Sequence, residues 1–104
     1  MIKTSDLKKI CDEGWKFRIC SYEKGNSVKG RIFPDEYEIR IYKKRIENNE
    51  DYYLTICHEI FHVLDENLSE KEVESNAYVL KERFPKKLEY IINLFDIPPY
   101  KNII

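Results

Sequence analysis

The side chains best suited to chemistry are two histidines and a glutamate, which form an H-E-x-x-H sequence at positions 58–62. His58 and His62 are the only two histidines of the chain. On a helix, residues four apart lie one turn above each other on the same face, so both imidazoles can reach one ion. Glu59, beside the first of them, can hold a water molecule at that ion and accept its proton. Zinc lowers the pKa of such a water towards neutrality, which is the chemistry of a metal-dependent hydrolase.

A catalytic zinc site of this type needs a third protein ligand and keeps one position open. The metzincin pattern would require glycine at position 65 and histidine at position 68, where this chain has Asp65 and Leu68. We therefore expect a carboxylate from another element. The segment that follows the motif offers four candidates: Glu70, Glu72, Glu74 and Glu82.

Position on the following helix separates these candidates. Ser69 and Glu72 have the spacing of a capping box, which gives Glu72 a local role. Glu70 lies in the first turn, where the helix dipole already favours an acid. Glu74 lies at the edge of the apolar stripe and is preferred as the third ligand, with Glu72 and then Glu82 as alternatives.

The motif must be positioned by the elements around it, and their periodicity predicts a single α+β domain over residues 1–104. Alternating runs predict strands over 15–22, 28–33 and 37–42, with turns at 25–26 and 34–35 that favour an antiparallel meander. Apolar residues at three-to-four spacing predict helices over 5–13, 51–66, 69–84 and 86–95. We expect Asp51 to cap the motif helix, and this helix to pack on a small antiparallel three-stranded sheet with the helices mainly on one side.

Composition narrows the function classes. The 104 residues include 18 basic and 19 acidic side chains, and the net charge of -1 argues against a protein that binds nucleic-acid phosphates. No apolar run reaches the roughly 18 residues of a membrane span, and the first residues do not resemble a secretory signal. Cys11, Cys20 and Cys57 are odd in number and form no C-x-x-C pair, which fits reduced thiols. Together these features predict a cytoplasmic protein.

Two segments resemble the ImmA/IrrE family of zinc metallopeptidases. Residues 55–62 read TICHEIFH, and residues 72–79 read EVESNAYV, followed by Pro85. Members of that family typically read R/K-F-T-x-A-H-E-x-G-H and then E-x-E-A-N-x-F-A-x-x-L-L-x-P. The similarity covers residues 38–97 and implies a gluzincin-like site. In such a site His58 and His62 bind zinc, Glu59 is the general base, and Glu74 is the third ligand.

The resemblance also implies a function. Family members act in intracellular proteolysis, often of a transcriptional repressor encoded on a phage or mobile element. We therefore expect a zinc-dependent endopeptidase with a protein or peptide substrate, without direct contact to nucleic acid or membrane. An exposed sheet edge beside the motif helix is expected to hold an extended peptide by strand addition. The alternative is a non-catalytic metal-binding regulatory module that acts through protein–protein interaction.

Two aromatic residues lie at informative positions. Phe61 replaces the family glycine of H-E-x-G-H, and this substitution predicts a large ring beside the site. Tyr78 follows Glu74 by one helical turn. Its position suits either core packing or a hydrogen bond to an oxyanion.

Overall fold

The computed structural model describes residues 2–25 and 27–104. It has four α-helices and three β-strands, in the order α1 (Thr4–Asp12), β1 (Lys16–Cys20), β2 (Gly30–Phe33), β3 (Glu38–Tyr42), α2 (Asn49–Leu64), α3 (Glu70–Arg83) and α4 (Pro85–Leu94). This is the expected α+β architecture, with element bounds close to those predicted. The turn expected at 25–26 includes Asn26, which lies outside the described residues. Within the described ranges, no helix combines the length and the apolar character that crossing a membrane requires.

The sheet is mixed rather than antiparallel. Its strand order is β1-β3-β2. β3 lies in the centre, parallel to β1 and antiparallel to β2, so that Ile39 has Phe17 on one side and Ile32 on the other. The predicted antiparallel meander is therefore wrong for β1, which does not pair with β2. The connection over residues 21–29 is too long for a tight hairpin, and the most buried strand, β3, takes the central position instead.

The core lies between the sheet and α2. Ile39 and Ile41 of β3 are fully buried, as are Ile56 and Ile60 of α2, and all four belong to one apolar cluster. α2 packs mainly against α3 and also contacts β2. The motif helix is thus held between the edge strand β2 and the helix that follows it.

The start of α2 differs from the expectation. Asn48 is the N-cap, because its side-chain oxygen accepts a hydrogen bond from the Asp51 N–H at 2.8 Å. Asp51 lies inside the first turn. Its carboxylate binds the Lys29 ammonium at 2.9 Å and accepts a hydrogen bond from the Glu47 N–H at 2.9 Å. Asp51 therefore fastens the segment before β2 to the start of α2.

Candidate metal centre

His58 and His62 of α2 point their ring nitrogens at each other. The two Nε2 atoms are 3.1 Å apart, and both side chains are about one-quarter exposed. Burial lowers the pKa of His58, the charge of a protonated His62 would lower it further, and the Glu70 carboxylate opposes both effects. A lowered pKa favours the neutral imidazole, which is the form that binds metal ions.

The carboxylate in contact with both rings belongs to Glu70, in the first turn of α3. Its two oxygens lie 3.3 Å from His58 Nε2 and 2.9 Å from His62 Nε2. The predicted capping box is present beside it, since Ser69 and Glu72 exchange hydrogen bonds of 3.1 Å. This box fixes the turn that presents Glu70 to the imidazoles.

These three residues form a donor set that suits zinc. One ligand atom from each of His58, His62 and Glu70 lies within 4.8 Å of the other two. Two imidazole nitrogens and one carboxylate oxygen match the protein ligands of known catalytic zinc sites. The chemistry of the residues therefore fits the ion that the sequence resemblance implies.

The other acidic candidates have different surroundings. Glu74 lies one turn after Glu70 and lines the same cleft, but it is not a member of the three-residue cluster. Glu72 belongs to the capping box, and Glu82 binds Lys81 at 3.0 Å. The prediction that Glu74 is the third ligand stays a prediction, and Glu70 is the carboxylate that the fold brings to the histidines.

The contact of Glu70 was missed in the sequence because an acid in the first turn of a helix already has an explanation. The connection between α2 and α3 is only residues 65–69, which makes the two helices an antiparallel pair. In such a hairpin the last turn of α2 must face the first turn of α3. That connection length was the available signal that His62 would meet Glu70.

Glu59 is buried between α2 and β2, with 6% of the residue exposed. Burial raises its pKa to about 7, and the negative charge of Glu70 contributes in the same direction. Its side chain lies against Gly30. A Cβ atom at Gly30 would be 3.1 Å from Glu59 Cγ, 3.1 Å from Thr55 Cγ2 and 3.3 Å from the Arg40 carbonyl oxygen. β2 can therefore approach the motif helix closely only because this position has no side chain.

A cleft of about 850 Å³ opens over these groups. Its walls come from α2, α3, β2 and the residues that lead into β2. It is lined by Ser27, Val28, Lys29, Gly30, Arg31, Ile32, Asp51, Leu54, Thr55, His58, Glu59, His62, Glu70, Glu74 and Tyr78. Phe61 is not among them: its ring is buried in the core, so the expectation of a large ring beside the site is wrong.

The free edge of β2 borders this cleft. The Tyr42 N–H donates to the Lys29 carbonyl oxygen at 2.9 Å, which fixes the alternation of hydrogen bonds between β2 and β3. In an antiparallel pair every second residue turns its backbone groups away from the partner strand. Gly30 and Ile32 are these residues, and both line the cleft.

Comparison with known proteins finds no matching family model, curated protein or solved structure. The resemblance to the ImmA/IrrE family therefore rests on the motif residues alone.

Proposed function

We propose that this protein is a zinc-dependent metallopeptidase that cleaves a protein substrate in the cytoplasm. The observation that carries the proposal is the juxtaposition of three metal-binding groups with a buried carboxyl group in one cleft. His58, His62 and Glu70 supply the metal-binding groups, and Glu59 supplies the carboxyl group. The three cysteines are unpaired, which agrees with a reducing compartment.

His58, His62 and a carboxylate of α3 would hold the ion. When bound, zinc supplies a Lewis acid that polarises a carbonyl group and lowers the pKa of a water molecule. The contacts of Glu70 favour it as the carboxylate over Glu74.

Glu59 would act as the proton carrier of the reaction. A carboxyl group beside the metal-binding groups can accept a proton from a water molecule and return it to a leaving group. From its position in the cleft it would accept a proton from the attacking water and deliver it to the amine that leaves.

The edge of β2 would bind the substrate. Because Gly30 and Ile32 line the cleft and turn their backbone donors and acceptors away from β3, an extended peptide can add there as a further strand. Such binding reads the main chain and suits a protein or peptide substrate. The sequence resemblance makes a transcriptional repressor the first protein to test.

The proposal is tested by incubating the zinc-loaded protein with a pool of unstructured peptides and mapping new termini by mass spectrometry. We expect cleavage by the wild type and at least about 100-fold slower cleavage by Glu59→Gln. Glu89→Gln, at an exposed position of α4, is the matched control and should cleave normally. Zinc content is measured for all three proteins.

Two results would reject the hydrolase. One is a wild type that binds zinc but cleaves no peptide, which would favour the regulatory module. The other is a Glu59→Gln variant that cleaves as fast as the wild type at equal zinc content.

A further inference from the structure

The packing of α2 against α3 determines which residues of the two helices lie side by side along the cleft. His62 contacts Glu70, and further along the pair Glu50 contacts Lys81. Residues four apart share a helix face, so Leu54 lies one turn beyond His58 on α2, and the same register places it level with Tyr78 of α3. Leu54 and Tyr78 both line the cleft.

The part of the cleft that Leu54 and Tyr78 line is apolar and open to solvent. Tyr78 is 59% exposed and Val28 is 43% exposed, so both are exposed large apolar residues. Both line the same cleft as Leu54, and Val28 belongs to the segment before β2. Beyond these apolar residues lies the Lys29–Asp51 ion pair, whose two charges neutralise each other. Apolar side chains that line a cleft beside a few convergent polar groups are typical of a ligand-binding site.

We propose that Leu54, Tyr78 and Val28 form a subsite for a large apolar side chain of an extended peptide. The proposal rests on the proposed function, because it places the reacting bond at His58 and His62. From His58 to Leu54 is one helical turn, about 5.4 Å, and two residues of an extended strand span about 6.8 Å. The side chain bound in the subsite therefore belongs to a residue two positions from the one at the metal centre.

The occupant must be an extended peptide. Gly30 and Ile32 line the same cleft, and their backbone groups, which do not pair with β3, match a main chain that adds to β2. In an extended chain, side chains two apart project to the same side. One such side chain can fill the subsite while the main chain remains paired with the strand edge.

The test measures the binding of peptide hydroxamates. In these compounds a zinc-binding hydroxamate group takes the place of the peptide bond that would be cleaved. Pairs of compounds differ only in leucine or glycine two positions from the hydroxamate. Two series carry the hydroxamate at the carboxyl or the amino end. Calorimetry on the zinc-loaded wild type should show at least about tenfold tighter binding of the leucine compound in one series.

Two variants assign this preference to residues. Tyr78→Ala, at an exposed position, should reduce the preference below about threefold and leave zinc binding unchanged. Phe84→Ala is the matched control, since Phe84 is also an exposed aromatic residue but does not line the cleft. The subsite is disproved if neither series prefers leucine, or if Phe84→Ala lowers the preference as much as Tyr78→Ala.

This readout is independent of hydrolysis. A leucine preference in a protein that cleaves nothing would support the subsite and reject the peptidase. Peptide cleavage without any leucine preference in either hydroxamate series would leave the peptidase standing and reject the subsite.

Discussion

Glu59 is a titrating group placed in the protein interior, and its burial links the site to stability. In the metal-free protein its pKa is raised from 4.5 to about 7. The folded state then holds a proton that the unfolded chain has released between these two values. Stability from this group is fully present below about pH 4.5, is lost as the pH rises to about 7, and stays low above it.

Replacing Glu59 with glutamine removes this titration. We compare the free energy of unfolding of metal-free Glu59→Gln with that of the metal-free wild type. The value for the variant minus that for the wild type should increase by up to about 3 kcal/mol as the pH rises from 4.5 to 8. Urea denaturation at several pH values, with a chelator present, measures the difference. A difference that does not change with pH would show that the pKa of Glu59 in the folded protein is the same as in the unfolded chain.

The third ligand can be assigned by comparing two residues one turn apart. Glu70 contacts both imidazoles, whereas Glu74 lies in the same cleft outside the cluster. We expect Glu70→Gln to weaken zinc binding by at least about tenfold and Glu74→Gln to change it much less. Competition with a chromophoric chelator gives both affinities. The reverse order would return the role to Glu74, as the sequence resemblance implies.

At the scale of elements, the helices and strands were predictable because their signals are local. Ser69 and Glu72 form the capping box that their spacing predicts, and Pro85 opens α4 after α3 has ended. The strand order could not be predicted in the same way, because the pairing of β1 with β3 depends on contacts between segments that are distant in the sequence. The sequence predicts Asp51 as the cap of α2, but Asn48, an equally good capping residue three positions earlier, is the cap in the structure.

The contact between β2 and α2 depends on the absence of a side chain at Gly30. Gly30→Ala would place a Cβ 3.1 Å from both Glu59 Cγ and Thr55 Cγ2, so the strand and helix must separate. We expect a loss of about 1–3 kcal/mol in the free energy of unfolding, measured in urea. Adding Thr55→Ser removes one of the two contacts and should restore part of that loss. An unchanged stability of Gly30→Ala would contradict the close packing described here.

At the scale of the whole molecule, α2 is the element on which both the core and the site depend. Its buried face includes Ile56, Cys57 and Ile60, and its open face carries His58 and His62. The apolar periodicity of the sequence predicts the buried face of α2, and the open face is then the side of the helix that the apolar residues leave. The facing residues of α3 were harder to predict, because their register depends on the connection between the helices.

Cys57 reports on the integrity of this core. It is fully buried, and burial raises the pKa of its thiol to about 12, whereas Cys11 and Cys20 are partly exposed. A thiol reagent should therefore modify Cys11 and Cys20 in the native protein and Cys57 only after unfolding. The labelled residues are identified by mass spectrometry with and without urea. Labelling of Cys57 at the same rate as the others would contradict the core assignment.

The most direct test of the account is a zinc titration of the wild type, His58→Ala and His62→Ala against a competing chelator. The chain has two histidines, so each variant removes half of the imidazole groups without altering any other. We expect one zinc ion per wild-type chain and at least about 100-fold weaker binding by each variant. A wild type that binds no zinc, or variants that bind it as tightly as the wild type, would contradict the metal centre on which the proposed function depends.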